Sequence, residues 1–326
     1  MARSADLVSM SGGPVSGGVD AAAGGFAGSG TAVAGWRLRW RRFRRNRAAV
    51  ASVGVLLLLV VFSLLAAPLE AMLGIDAFKA DLLSRFDPPS AEHWLGTDDI
   101  GRDVLVRLMY GGQVSLAVGL AATLVGAVIG TAVGLLAGYY GGRLDALLMR
   151  LTDGVIALPL LPLLIVFAAV DLTKLGISAE AARSPAAGFW RIVVIIALVD
   201  WTSIARLVRA ATLAVREREF VLAAKGSGAG ALHVMRTHIL PNVATPIIVA
   251  CTLTVGRVIL FESVLSFLGF GIVPPMPSWG NMLNNAQELI TVAPAQAIYP
   301  GLLIFATVIA ANFAGDGLQD AFDPKS

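Results

Sequence analysis

Charge is scarce in this chain of 326 residues: Asp, Glu, Lys and Arg make up 14%, against about 25% in soluble globular proteins. Cysteine is scarcer still. A single Cys251 forms no internal disulfide, which excludes a disulfide-stapled secreted domain. Three histidines (His93, His233, His238) and that one cysteine are too scattered to read as a metal site. No Gly-x-x-x-x-Gly-Lys-Ser/Thr phosphate loop occurs anywhere, so any nucleotide chemistry belongs to another chain. What the chain has in excess is apolar residues, 56% of the total, against roughly 45–50%. Both departures point to a lipid-embedded protein and away from a cytosolic enzyme or a disordered chain.

The hydrocarbon core of a bilayer is ~30 Å thick, so a helix needs ~20 apolar residues to cross it. Six stretches qualify or nearly do: Ala48–Ala67, Val114–Gly138, Leu144–Val170, Arg191–Val215, Val243–Gly269 and Ile298–Gly315. The last is the shortest. Backbone groups in lipid are paired within their own segment, so these are predicted to be helices. Before them, residues 1–35 hold nine glycines and no apolar periodicity, and read as a flexible cytoplasmic tail. A cleavable signal peptide is not expected, because the first apolar run starts only near Ala48.

Arg37–Arg47 holds seven arginines in eleven residues, directly ahead of an uncharged span. This is a topology signal rather than a nucleic-acid site and puts the N-terminus inside. Glu70–Gln113 carries eight acids and four basic residues and is expected outside. Gly141–Arg150 and Arg206–Arg236 carry Arg143, Arg150, Arg206, Arg209, Arg216, Arg218, Lys225 and Arg236 and are expected inside. Gly271–Ala297, with Glu288 as its one charge, fits outside. Six alternating spans return the C-terminus to the cytoplasm. The expected layout is a tail at 1–35, a basic pre-helix, first span and outer loop at 36–113, a transmembrane domain at 114–318 and a tail at 319–326.

Gly126, Gly130, Gly134 and Gly138 recur every four residues and share one helix face. Such a ridge lets another helix approach closely, either within this chain or from a partner subunit. The segment 216–242 is moderately apolar, too broken by glycine to span, and reaches Pro241. It predicts a short helix, a turn and a second short helix stopped by the proline, lying at the membrane surface. Small exposed residues there suit a partner's groove.

This loop resembles the EAA motif by which ABC importer permeases dock on their ATPases. Ala223, Ala224, Gly228, Leu240 and Pro241 match. Leu222 stands where the motif has Glu and His238 where it has Ile. The resemblance extends over most of the chain from Arg41 onward, and its further matches are those of the dipeptide/oligopeptide/nickel branch. They are His93-Trp-Leu-Gly-Thr-Asp-Asp-Ile-Gly-Arg-Asp103, Met149-Arg-Leu-Thr-Asp153 with Pro159, Trp201 with Ala205-Arg206, Glu262-Ser-Val-Leu-Ser-Phe-Leu-Gly-Phe-Gly271 and Pro277-Ser-Trp-Gly280.

The resemblance implies an all-α integral membrane protein of the cytoplasmic membrane, with six transmembrane helices, the type I ABC importer permease fold and a cytoplasmic coupling helix. It implies a homologous permease subunit, two ABC ATPase subunits and an extracytoplasmic solute-binding protein as partners, lipid around them and no nucleic acid. ATP and Mg would sit in the ATPases, with no cofactor and no catalytic residue in this chain. The coupling residues would be Phe220, Ala223, Ala224, Gly228, His238, Leu240 and Pro241. The cargo would be a peptide, with nickel or another small solute as alternatives. An ion-coupled secondary transporter is the rival class.

Charges inside a membrane are costly and face protein or water. Asp153, near the inner end of the third span, reads as helix-end packing, while Asp200, Arg257 and Glu262 are candidates for the pathway or for intramembrane polar contacts, Glu262 for a structural hydrogen bond near the outer end. Arg257 either pairs with Asp200 or Glu262 or faces the translocation pathway.

Overall fold

The computed structural model describes residues 40–176, 178–182, 184–284 and 290–322, without the side chains of Leu172 and Leu175. The predicted tail at 1–35 and Glu288 lie outside the described residues, as do 323–326. The described residues form helices and turns, with one isolated bridge between Thr97 and Asp103.

Side-chain caps start three of the long helices. Asn46 accepts the Ala49 N–H at 3.1 Å and opens α1 (Arg47–Leu64), which is followed by α2 (Ala66–Leu73). Asp103 accepts the Val106 N–H at 2.8 Å and opens α3 (Val104–Tyr140). Ser184 accepts the Ala187 N–H at 3.2 Å, with Pro185 in the first turn, and opens α6 (Pro185–Arg216). These are the residue types and positions that satisfy orphan N–H groups at a helix start. Between α3 and α6 lie α4 (Gly142–Ile156), α5 (Leu160–Ala168) and a single turn at Ala179–Ala182. After α6 come the short α7 (Glu219–Gly226), α8 (Ala231–Phe267) and α9 (Pro294–Phe322).

Among the described residues, four helices, α1, α3, α8 and α9, are long and apolar enough to cross a membrane. The third predicted span is not one straight helix. It is broken into α4 and α5, bent by 86°. Pro159 causes the break: it is extended (φ −66°, ψ 116°) and caps α5, and a proline disfavours helix in the residue before it. The pair counts as a fifth apolar passage only if taken together. α6 has 32 residues, about 48 Å of helix, but Arg191, Asp200, Arg206 and Arg209 make it more polar than the others.

Several boundaries move. α3 begins at Val104, ten residues before the predicted Val114, because Asp103 caps it and Arg107 is held by Asp98 at 3.3 Å. α9 runs through Gly315 to Phe322, so residues 319–322 are helix rather than tail. Ala321 is buried there in a cluster with Phe43 and Ala49 of the opposite end of the chain.

α3 is the spine. Its buried residues fall into three core clusters in chain order. Val104 and Leu108 join Trp279 and Ile304. Val114, Val118 and Ala122 join Ile192, Ile196 and Val258. Ala127 and Leu135 join Ile204, Val208, Ile239 and Val243. The two ends of the bundle differ in charge: one carries Glu70, Asp98, Asp99 and Asp103, the other Arg47, Arg143, Arg216, Lys225 and Arg236.

Candidate coupling segment and buried polar groups

At the basic end the chain leaves α6 and reverses through α7. The helix closes with two bonds: Ala229 N–H donates to the Ala224 carbonyl at 3.1 Å, and Gly228 N–H to the Lys225 carbonyl at 3.0 Å. This is the Schellman pattern, whose penultimate residue is left-handed. Gly228 is that residue, with φ +82°. The glycines at 226–230 are therefore part of a helix stop.

α7 is anchored on one side only. Val221 is fully buried in the cluster with Leu135, Val208, Ile239 and Val243. The Phe220 ring lies 6.4 Å from that of His238, which lies 5.9 Å from that of His233. Lys225 Nζ sits 4.8 Å from the Tyr139 ring centre, and Arg216 Nη1 donates to the Gly138 carbonyl at 2.9 Å. The Phe220 and Lys225 contacts fix α7 to the first turns of α8 and the last turn of α3, and the Arg216 bond ties the end of α6 to the end of α3. The other side is open: Phe220, Leu222, Ala223, Gly228 and Pro241 are exposed, as is Leu232. Leu222, at the motif's Glu position, is 50% exposed. Ala224 and Leu240 point the other way, half-buried against the core.

Pro241 does not stop the upstream helix, contrary to expectation. α8 runs unbroken from Ala231 to Phe267, with a π turn at Met235–Ile239. The Leu240 N–H reaches back five residues to the Met235 carbonyl. A proline removes a donor and crowds the carbonyl four residues earlier, and the widened turn just ahead of it absorbs that crowding. The second arm of the predicted helix pair is thus the start of a spanning helix.

The glycine row faces α6 of this chain. A Cβ at Gly130 would lie 2.5 Å from the Trp201 carbonyl oxygen, at Gly134 2.6 Å from that of Ala205, and at Gly138 2.6 Å from Thr212 Cβ. At Gly126 the nearest atom would be 3.6 Å away, an ordinary contact.

The polar groups of the spans separate into three arrangements. Arg209 grips Asp145 with two bonds, Nε–Oδ1 at 2.5 Å and Nη2–Oδ2 at 2.6 Å, and Arg206 holds Asp153 at 2.6 Å. Arg257 faces Asp200, not Glu262, through a single 3.5 Å contact, and its Nη2 donates to Thr254 Oγ1 at 3.2 Å. Glu262 is fully buried and accepts Ser115 Oγ–H at 3.0 Å and Ser266 Oγ–H at 2.7 Å.

The Glu262 group reaches further than the sequence suggested. Ser115 Oγ also accepts the Trp279 N–H at 3.2 Å, and Ser266 Oγ the Ile272 N–H at 3.0 Å. Trp279 is wholly buried, donates Nε1–H to the Leu108 carbonyl at 2.9 Å and packs against Gly111 and Gly112. One carboxyl group therefore pins the 270–283 loop to α3 and α8. The local signals for it in the sequence are the Gly111-Gly112 pair and Ser266, one turn after Glu262. Removing the carboxyl orphans two buried hydroxyl donors, at about 1–3 kcal/mol each. Glu262→Ala is expected to lower the melting temperature in detergent clearly more than Glu262→Gln, which keeps one acceptor. Equal melting temperatures for the two variants would contradict the pinning role.

Comparison with known proteins agrees with this architecture. Residues 130–326 match the family described as binding-protein-dependent transport system inner membrane component. Residues 35–89 match the N-terminal TM domain of oligopeptide transport permease C. A Brucella suis biovar 1 protein named as a peptide permease is 41% identical over 287 residues, 87% of this chain and 89% of that protein. The glutathione transport system permease protein GsiD of Escherichia coli O6:K15:H31 is 40% identical over 293 residues, 89% and 90% of the two chains. In fold, the chain is similar to one from inward-facing conformations of the MetNI methionine ABC transporter. The TM-score is 0.51 at 20% identity, over 68% of this chain and 97% of that one. A match over more than half the chain, relatives alike along nearly their whole length and a shared helical fold settle the family: this multi-pass membrane protein belongs to the binding-protein-dependent transport system inner membrane components.

Proposed function

We propose that this chain is a permease subunit of an ATP-binding-cassette importer that carries peptides, with six spans and both termini at the cytoplasmic face. The cargo follows the Brucella and Escherichia relatives. The count takes α4 and α5 as one bent span and α6 as a span whose charges face protein or a cleft rather than lipid, Arg209 bound to Asp145 and Asp200 turned to the cleft beside Arg257. The orientation follows the arginine-rich end, which stays inside.

The observation that carries the mechanism is the half-anchored α7. Its exposed face of Phe220, Leu222, Ala223 and Gly228 is a docking surface, and its buried Val221 transmits force to the core. Two ATPase subunits lie beneath, one touching this face. ATP and Mg belong to them, and this chain contributes no catalytic group. When the ATPases close, α7 moves with them and the continuous α8 tilts as a rigid lever. The pathway runs between this chain and a homologous permease subunit, and an extracytoplasmic binding protein delivers the cargo. The glycine row serves packing inside the chain.

An Ala223→Cys variant paired with a cysteine on the ATPase is expected to give a disulfide-linked product, and peptide uptake into vesicles to require ATP and all partners. Uptake by this polypeptide alone on an ion gradient would refute the reading.

A further inference from the structure

We propose that the cleft at the α4–α5 bend is a subsite for a short zwitterionic peptide, taking its ammonium on Asp200 and its carboxylate on Arg257. This rests on the peptide-importer reading and assigns a place and a polarity to the cargo within it.

The 86° bend leaves a cleft of roughly 160 Å³ between α4, α5, α6 and α8. Ile156, Leu160, Val199 and Phe261 form apolar walls, and Asp200 and Arg257 face it together. That volume is below the roughly 300–1,000 Å³ of a complete ligand pocket, so it suits the charged end groups of a small molecule.

The two charges form an incomplete pair. The Asp200 side chain is 7% exposed, and its Oδ2 is buried with no hydrogen-bond partner. Its Oδ1 has only the 3.5 Å contact with Arg257 Nε, beyond the ~2.7–2.9 Å of a good charge-assisted bond. Arg257 is 45% exposed along its side chain. Elsewhere in the same bundle a closed pair is built: Arg209 and Asp145 meet in a double bond of 2.5 and 2.6 Å. The open geometry at Asp200 and Arg257 is therefore a property of this site rather than of ion pairs in this fold.

An unpaired charge removed from water is costly until something meets it. A molecule with one positive and one negative end meets both at once. The ammonium supplies donors to the orphaned Oδ2, and the carboxylate takes the fork of Arg257. A simple anion would be pushed off by Asp200 and a simple cation by Arg257. A short peptide, whose termini lie close together, is the class that fits.

The test uses the importer reconstituted with its partners in vesicles, and three probes: a free dipeptide, its N-acetylated form and its C-amidated form. Each is supplied at a concentration saturating the binding protein, so that protein's own preference cancels between variants. Loss of one charge-assisted contact corresponds to about tenfold or more. Asp200→Asn is expected to reduce the preference for the free over the N-acetylated peptide about tenfold and to leave the free-to-amidated ratio in place. Arg257→Gln is expected to do the reverse. A uniform slowing of all three probes, with a lower melting temperature, would make the pair purely structural and overturn the proposal. So would unchanged ratios in both variants. A wild-type importer that moves another solute but no peptide would instead overturn the functional reading, and this inference with it.

Discussion

Gly134→Ala is expected to lower the melting temperature of the purified chain in detergent, and Gly126→Ala to leave it unchanged or raise it. Both residues lie on the same face of α3, and both substitutions add one methyl group. Helix propensity favours alanine at each by about 1 kcal/mol. The difference is what the methyl meets. At Gly134 it would lie 2.6 Å from the Ala205 carbonyl oxygen and 2.7 Å from Val208 Cβ. Neither is the free end of a flexible side chain, so α3 and α6 must separate along their longest contact. Overpacking of this kind costs about 1–3 kcal/mol. Gly130→Ala, with a methyl 2.5 Å from the Trp201 carbonyl oxygen, belongs with Gly134→Ala. At Gly126 the nearest atom is at 3.6 Å, so the propensity gain stands. Losses of similar size at Gly126 and Gly134 would show that close helix approach is not what the row provides.

The glycine row illustrates what sequence carries and what it withholds. Its period of four made a close helix contact legible, but not the partner, since α6 and a foreign helix present the same kind of surface. Long apolar runs made α1, α8 and α9 legible. The bend at Pro159 was not, because prolines are tolerated in membrane helices whose freed groups find other partners; Pro246 and Pro300 lie inside α8 and α9 without breaking them. Pro241 failed as a stop signal for a related reason, since a π turn relieves the crowding on which the rule rests. The serine cage around Glu262 was hidden by distance: Ser115 is 147 positions away, and no local pattern links them. Periodicity reports which face of a helix is buried, and it is silent on which distant residue fills that face.

Gly228→Arg is expected to abolish transport while insertion and folding survive, and two companion variants separate the reasons. Gly228 is left-handed at φ +82°, a conformation that costs an ordinary residue about 1–2 kcal/mol and asparagine less. A Cβ there meets nothing within 4 Å, so within this chain a large side chain is no worse than a small one. The melting temperatures of Gly228→Ala and Gly228→Arg should therefore agree, with Gly228→Asn at or above them. Transport should not follow that order. If an ATPase covers this turn, side-chain size and charge matter to the partner alone, and ATP-driven uptake should fall slightly for asparagine, modestly for alanine and by at least about tenfold for arginine, the loss expected when a charge is buried without a partner. Equal uptake by the alanine and arginine variants would mean that nothing docks over Gly228. Equal and complete loss in both would mean that the turn itself, rather than the surface above it, transmits the force.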